Sequence, residues 1–131
     1  EAGYSVGVNY QLQCAGCHLG DGMGSPANDT PRLQGFVGNF LKVPGGRVFL
    51  VRRAGMSQSA LNDAQFADLL NWLMREDGMA GKSTPAHYQP YNAEEVSALR
   101  QKAMLNLPGT RAELIKDMRA QGIAIEDGMS Y

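Results

Sequence analysis

The stretch Cys14-Ala15-Gly16-Cys17-His18 decides how this chain is read. It contains both cysteines of the 131 residues. Two thiols separated by two residues, followed at once by an imidazole, form the attachment signature of c-type haem. The spacing has a physical reason. Two intervening residues set both sulfurs along one edge of a porphyrin, where they add to its vinyl groups, and the next residue turns its ring under the iron. Other uses of the pair fare worse. A redox dithiol would want a preceding strand and a βαβ pattern, which the flanking residues lack. A structural zinc site needs four ligands, and His87 is the one further histidine. A disulfide across so short a loop would remove little chain entropy. One haem c is therefore expected, covalent through Cys14 and Cys17, with His18 as an axial ligand.

The surrounding chain suits a polypeptide organised by a cofactor. Sixteen glycines and six prolines are many for this length, and residues 19–60 show no clean periodicity. Gly20, Gly22, Gly24, Pro26, Pro31, Gly35, Gly38, Pro44, Gly45 and Gly46 punctuate that stretch. So long a loop is unusual in an ordinary domain but reasonable around a large flat group that supplies part of the core. Upstream, residues 4–14 are expected to form a short helix that would not be stable alone. Within the wrap, residues 36–43 suggest a helical turn or two, while Arg47 to Arg53 fit a strand or a short helix equally well.

Helices dominate the remainder. Residues 62–77 are read as a helix: Leu61, just ahead of it, and Phe66, Leu69, Leu70, Leu73 and Met74 recur at helical spacing, with Asn62 and Gln65 as a capping box and Gly78 as the terminator. A linker over 79–91 is followed by predicted helices at 93–105, capped by Asn92 with Glu95, and at 111–121, capped by Thr110 with Glu113 and ended by Gly122. The apolar residues of 81–131 need somewhere to bury. Packing back on residues 1–80 is preferred to a dimer contact or a docking surface.

With these pieces in place the chain resembles a class I cytochrome c over residues 3–80. The order is short helix, Cys-x-x-Cys-His, glycine-rich wrap, methionine ligand and closing helix. The resemblance implies an all-α fold wrapped around one covalent haem in a core domain of 1–80, here with a helical extension of 81–131. It implies that Pro31, in Pro31-Arg32-Leu33-Gln34-Gly35, offers its carbonyl to the Nδ1–H of His18 and so fixes the imidazole tautomer. Tyr10 and Trp72 match the aromatics of the first and last core helices, which pack together in the family. The family often has a glycine eight residues before the first cysteine, where those helices cross. Here that position is Val6 and Gly7 lies one step off, which shifts the expected crossing.

An electron carrier gains from a methionine opposite the histidine, which favours Fe(II). Met56, in Ala54-Gly55-Met56-Ser57, sits six residues before the helix cap, where the family places its ligand. Met79 is second choice and His87 third. Met74 reads as core filler, Met23 is too near His18 to reach the opposite face, and His87 reads first as a linker residue. A five-coordinate, ligand-binding haem of the cytochrome c′ kind would place the attachment motif near the end of a four-helix bundle, not at the start.

The net charge of −1 argues against a polycationic nucleic-acid binder, and no stretch approaches eighteen apolar residues, so no membrane span is expected. Between Gly22 and Ala60 one acid faces five bases, a balance of +4, while the rest of the chain carries −5. Arg47 and Arg52 are the candidates for the haem propionates, and the other bases for steering an acidic partner. Because haem is attached outside the cytoplasm, and Glu1 is not preceded by a leader, a mature periplasmic chain is expected. The expected role is a soluble electron carrier, not an enzyme. Family habit suggests a dehydrogenase as donor, a quinoprotein or flavoprotein acting on an amine or alcohol, and an oxidase or another cytochrome as acceptor. A permanently bound haem subunit of an oxidoreductase is the alternative.

Overall fold

The computed structural model describes residues 5–7, 32–55, 61–101 and 107–127, and among them it is helical with no strand. The described part of the wrap contains a 3-10 helix, Val37–Lys42. It continues into α1 (Gly46–Gly55), which settles the ambiguous Arg47–Arg53 stretch as helix. Three further helices follow: α2 (Asp63–Leu73), α3 (Ala93–Arg100) and α4 (Leu107–Ala120).

Periodicity could not decide α1 because both sides of this helix are covered. Val51 enters one apolar cluster with Leu61, Phe66, Leu69, Leu70, Tyr91 and Val96. Phe49 enters a second with Phe36, Phe40, Met74, Leu114, Ile115 and Met118. A helix buried on two sides carries no single apolar stripe. In the second cluster Phe40 stacks on Phe49 with centroids 5.3 Å apart and meets Phe36 edge-on at 5.9 Å.

α2 has its expected start. Asn62 Oδ1 accepts from the Gln65 amide at 2.8 Å, and Gln65 Oε1 accepts from the Asn62 amide at 3.0 Å. Its end comes four residues earlier than the predicted 77. The Ala80 amide donates to the Leu73 carbonyl at 2.8 Å and the Thr84 hydroxyl donates to the Met74 carbonyl at 2.7 Å. Those carbonyls are spent on the chain's return, and Arg75 to Gly78 form a turn instead of another helical one.

Two other caps differ from expectation. At α3, Asn92 Oδ1 accepts from the Glu95 amide at 2.8 Å, but the Glu95 side chain does not close the box; it pairs with Arg47. α4 starts at Leu107, so Thr110 lies inside the helix and not at its cap, while Pro108 falls in the first turn, where a missing N–H costs nothing. Its end is as read. Gly122 has φ +79°, and the Ile123 amide donates back to the Met118 carbonyl at 3.0 Å.

Residues beyond 80 pack on those before it. α3 lies against α1 and α2, and α4 against α1 and the 3-10 helix. The apolar side chains Val96, Leu114, Ile115 and Met118 are all buried there. At the other end, Val6 packs on the α2 cluster and a Cβ on Gly7 would lie 3.9 Å from Trp72 Cζ2. Gly7 is thus the residue that faces the closing helix, one step from the family's usual position.

Candidate haem site

Five of the residues expected to hold the haem, Cys14, Cys17, His18, Pro31 and Met56, lie outside the described residues, as does Tyr10. What the structure describes is their frame. Pro31 is followed by Arg32 and Leu33, with Leu33 packed against both apolar clusters. The stretch carrying Met56 begins where α1 ends and stops at Leu61, which is buried just ahead of the α2 cap.

The remaining candidates for the second axial ligand differ in their surroundings. Met74 is 1% exposed within the second cluster. Met79 is half-buried against the first, and its carbonyl accepts from the Gly35 amide at 2.9 Å. His87 is exposed between the Gly81–Ser83 turn and α3. Among the described residues no group of three histidine, cysteine or acidic side chains is arranged to hold a metal ion.

The two arginines expected at propionates have partners in the extension. Arg47 Nε and one terminal nitrogen donate to the two Glu95 carboxylate oxygens at 2.6 and 2.7 Å. Its terminal nitrogens also donate to the carbonyls of Gln89 at 2.6 Å and Pro90 at 3.2 Å. The guanidinium lies 4.0 Å from the Tyr91 ring centroid. Four of its five N–H groups are thereby engaged. This geometry commits Arg47 to the 89–95 segment. Arg52 donates from Nε to the Leu99 carbonyl at 3.2 Å.

The pairing shifts both partners' proton affinity. The hydrogen bond from Arg47 holds the Glu95 carboxyl below the ordinary range, and Glu95 raises the guanidinium in return. Nearby, burial pushes the Tyr88 hydroxyl up to about 12 and raises that of Tyr91 further. Both tyrosines stay neutral and act as hydrogen-bonding struts: Tyr88 donates to Asn71 Oδ1, and Tyr91 donates to the Arg47 carbonyl at 2.9 Å.

A second junction joins the tail to the residue after Pro31. The Arg32 amide donates to the Asp127 carbonyl at 2.6 Å, and Arg111 donates to the fully buried Asp127 carboxylate at 2.6 Å. Among the described residues Arg32 Nε is buried with no hydrogen-bond partner, an arrangement that calls for an acceptor. Sequence reasoning missed Glu95, Asp127 and Arg32 in these roles. A signal was available in the opposite charge of the wrap and the rest of the chain, which the fold brings together at Arg47 and Glu95.

No family model matches this chain. Two curated relatives do. Cytochrome c-552 of Thermus thermophilus is 33% identical over 116 residues, covering 75% of this chain and 86% of the relative. A cytochrome c-552 from a named strain of the same organism is also 33% identical over 116 residues, covering 75% of this chain and 76% of the relative. The all-α architecture, the Cys14–His18 motif and these relatives agree: the chain belongs to the c-type cytochromes, which are electron carriers and not enzymes. Membership implies haem c as the prosthetic group. Such proteins usually work outside the cytoplasm, and no described helix is long and apolar enough to cross a membrane.

Proposed function

We propose that this protein is a class I, single-haem cytochrome c that carries electrons one at a time in the periplasm. The observation that carries the reading is Cys14-x-x-Cys17-His18 in a chain of this family. Haem bound there supplies a one-electron Fe(III)/Fe(II) couple. Cys14 and Cys17 would hold it covalently, and the imidazole of His18 would bind its iron. The Pro31 carbonyl accepts from His18 Nδ1–H and keeps the ligand nitrogen deprotonated. The Met56 thioether would be the second ligand, a soft donor that would favour the reduced state. The donor set fits the group, and the buried Arg32 Nε, without a partner among the described residues, has the chemistry a propionate requires. Arg32, with Arg52, takes the propionate role that Arg47 does not.

The donor is a periplasmic dehydrogenase, and the acceptor an oxidase or another cytochrome. Burial of Val96, Ile115 and Met118 inside the molecule supports a free carrier over a fixed subunit, because the extension's apolar faces already have a partner. Two measurements test the reading. The intact mass of matured protein should equal chain plus one haem. The ferric spectrum of Met56→Ala should lose the red charge-transfer band of sulfur–iron ligation. A bare polypeptide mass, or a spectrum identical to wild type, overturns the corresponding assignment.

A further inference from the structure

The end of α3 reaches both flanks of the stretch that carries Met56. On one side Arg52, in α1, donates from Nε to the Leu99 carbonyl at 3.2 Å. On the other, Arg100 donates to the Leu61 carbonyl at 3.0 Å and to Asp63 Oδ1 at 3.2 Å. The Arg100 side chain is 17% exposed, and its guanidinium lies 4.8 Å from the Phe66 ring centroid. Leu99 and Arg100 are consecutive residues, anchored by the fully buried Val96 one turn before.

We propose that Arg100 is a positioning residue for the second axial ligand of the iron. This rests on the assignment of Met56. By fixing Leu61 and Asp63 relative to Arg52, the end of α3 holds the two flanks between which Met56 lies in sequence, and through them would steady its hold on the iron. The physical basis is local rigidity. Leu61 is 2% exposed, so its carbonyl has little water to turn to if Arg100 is removed. The next residue is Asn62, whose capping box locks the start of α2. A grip on Leu61 is thus a grip on a helix end and not on a pliant loop.

The test uses the full haem-loaded chain in the ferric state. Arg100→Met leaves an unbranched apolar side chain beside Phe66 and removes the donors. Arg100→Lys restores the charge and part of the hydrogen bonding. Arg75→Met, at the exposed Arg75–Asp77 pair, is the control. Two signals are followed: the rate at which added imidazole displaces the sixth ligand, and the temperature at which the sulfur–iron band disappears, compared with helix melting by circular dichroism. Loss of a charge-assisted bond to a buried carbonyl should speed displacement in Arg100→Met by at least about tenfold. The band should then vanish before the helices melt, with partial recovery in Arg100→Lys and no change in Arg75→Met. An unchanged imidazole rate in Arg100→Met, or band and helix signals that still melt together, overturns the proposal. If Arg100→Met does not fold, a wild-type rate in Arg100→Lys together with coincident melting does the same. Met56→Ala separates the two readings, since a band that survives it removes the ligand assignment itself.

Discussion

At Gly46 the chain passes so close to the end of the 3-10 helix that a Cβ would sit 1.7 Å from the Phe40 carbonyl oxygen. Backbone cannot yield there without moving Phe40, which stacks on Phe49. Gly46→Ala is therefore expected to cost about 3 kcal/mol or more in denaturant unfolding, and a cost below about 1 kcal/mol would show that the two segments part easily. The residue beside it supplies a pH dependence. Glu95 titrates below its ordinary value of 4.5 because Arg47 stabilises the carboxylate. The pair's contribution is whole above that pH and is lost as the pH falls through the lowered folded value. Glu95→Gln should cost about 1 kcal/mol at neutral pH, and its stability should fall less steeply than wild type between about pH 5 and 3. Parallel acid profiles would count against the pair as a source of stability.

The helices differ in how far their own residues specify them. α2 carries both halves of a capping box, and Asn62→Ala should lower stability by about 1 kcal/mol. Thr110 looks like a cap in the linear chain but lies within α4; Thr110→Ala should be neutral or slightly stabilising, since alanine is the better helix former. Thermal unfolding of the two variants side by side checks the contrast, and an equal loss would restore Thr110 as a cap. The starts of α2 and α3 and the glycine ending α4 were legible because their determinants lie within a few residues of one another. The end of α2 was not, because Ala80 and Thr84 take its last carbonyls from the returning chain.

For the molecule as a whole, the extension completes the core. Leu114, Ile115 and Met118 are buried with Phe36, Phe40 and Phe49. At about 1.5–3 kcal/mol for each such side chain, losing these three removes roughly 5 kcal/mol or more, comparable with the entire stability of many domains. A chain ending at residue 106 should lose cooperative unfolding, monitored by circular dichroism across a urea titration. A truncated protein with a wild-type midpoint would show that residues 107–127 are dispensable to the fold. The charge asymmetry has the same meaning at this scale. A basic wrap and an acidic remainder meet at the half-buried Arg47–Glu95 pair, so that this arginine serves the fold.

The linear sequence determined the chemistry carried by neighbours in the chain. Two thiols and an imidazole within five residues carry the signature of haem attachment wherever the rest of the chain goes, and a cap three residues from its partner defines a helix start. The tertiary structure decided what depends on residues brought together from afar. Arg47 and Glu95, Arg100 and Leu61, and Asp127 and Arg32 are all separated by dozens of residues, so nothing local distinguishes a guanidinium that will grip a carbonyl from one left in water. The helical state of α1 belongs with these, because apolar neighbours on two sides erase the one-sided pattern by which a helix is read.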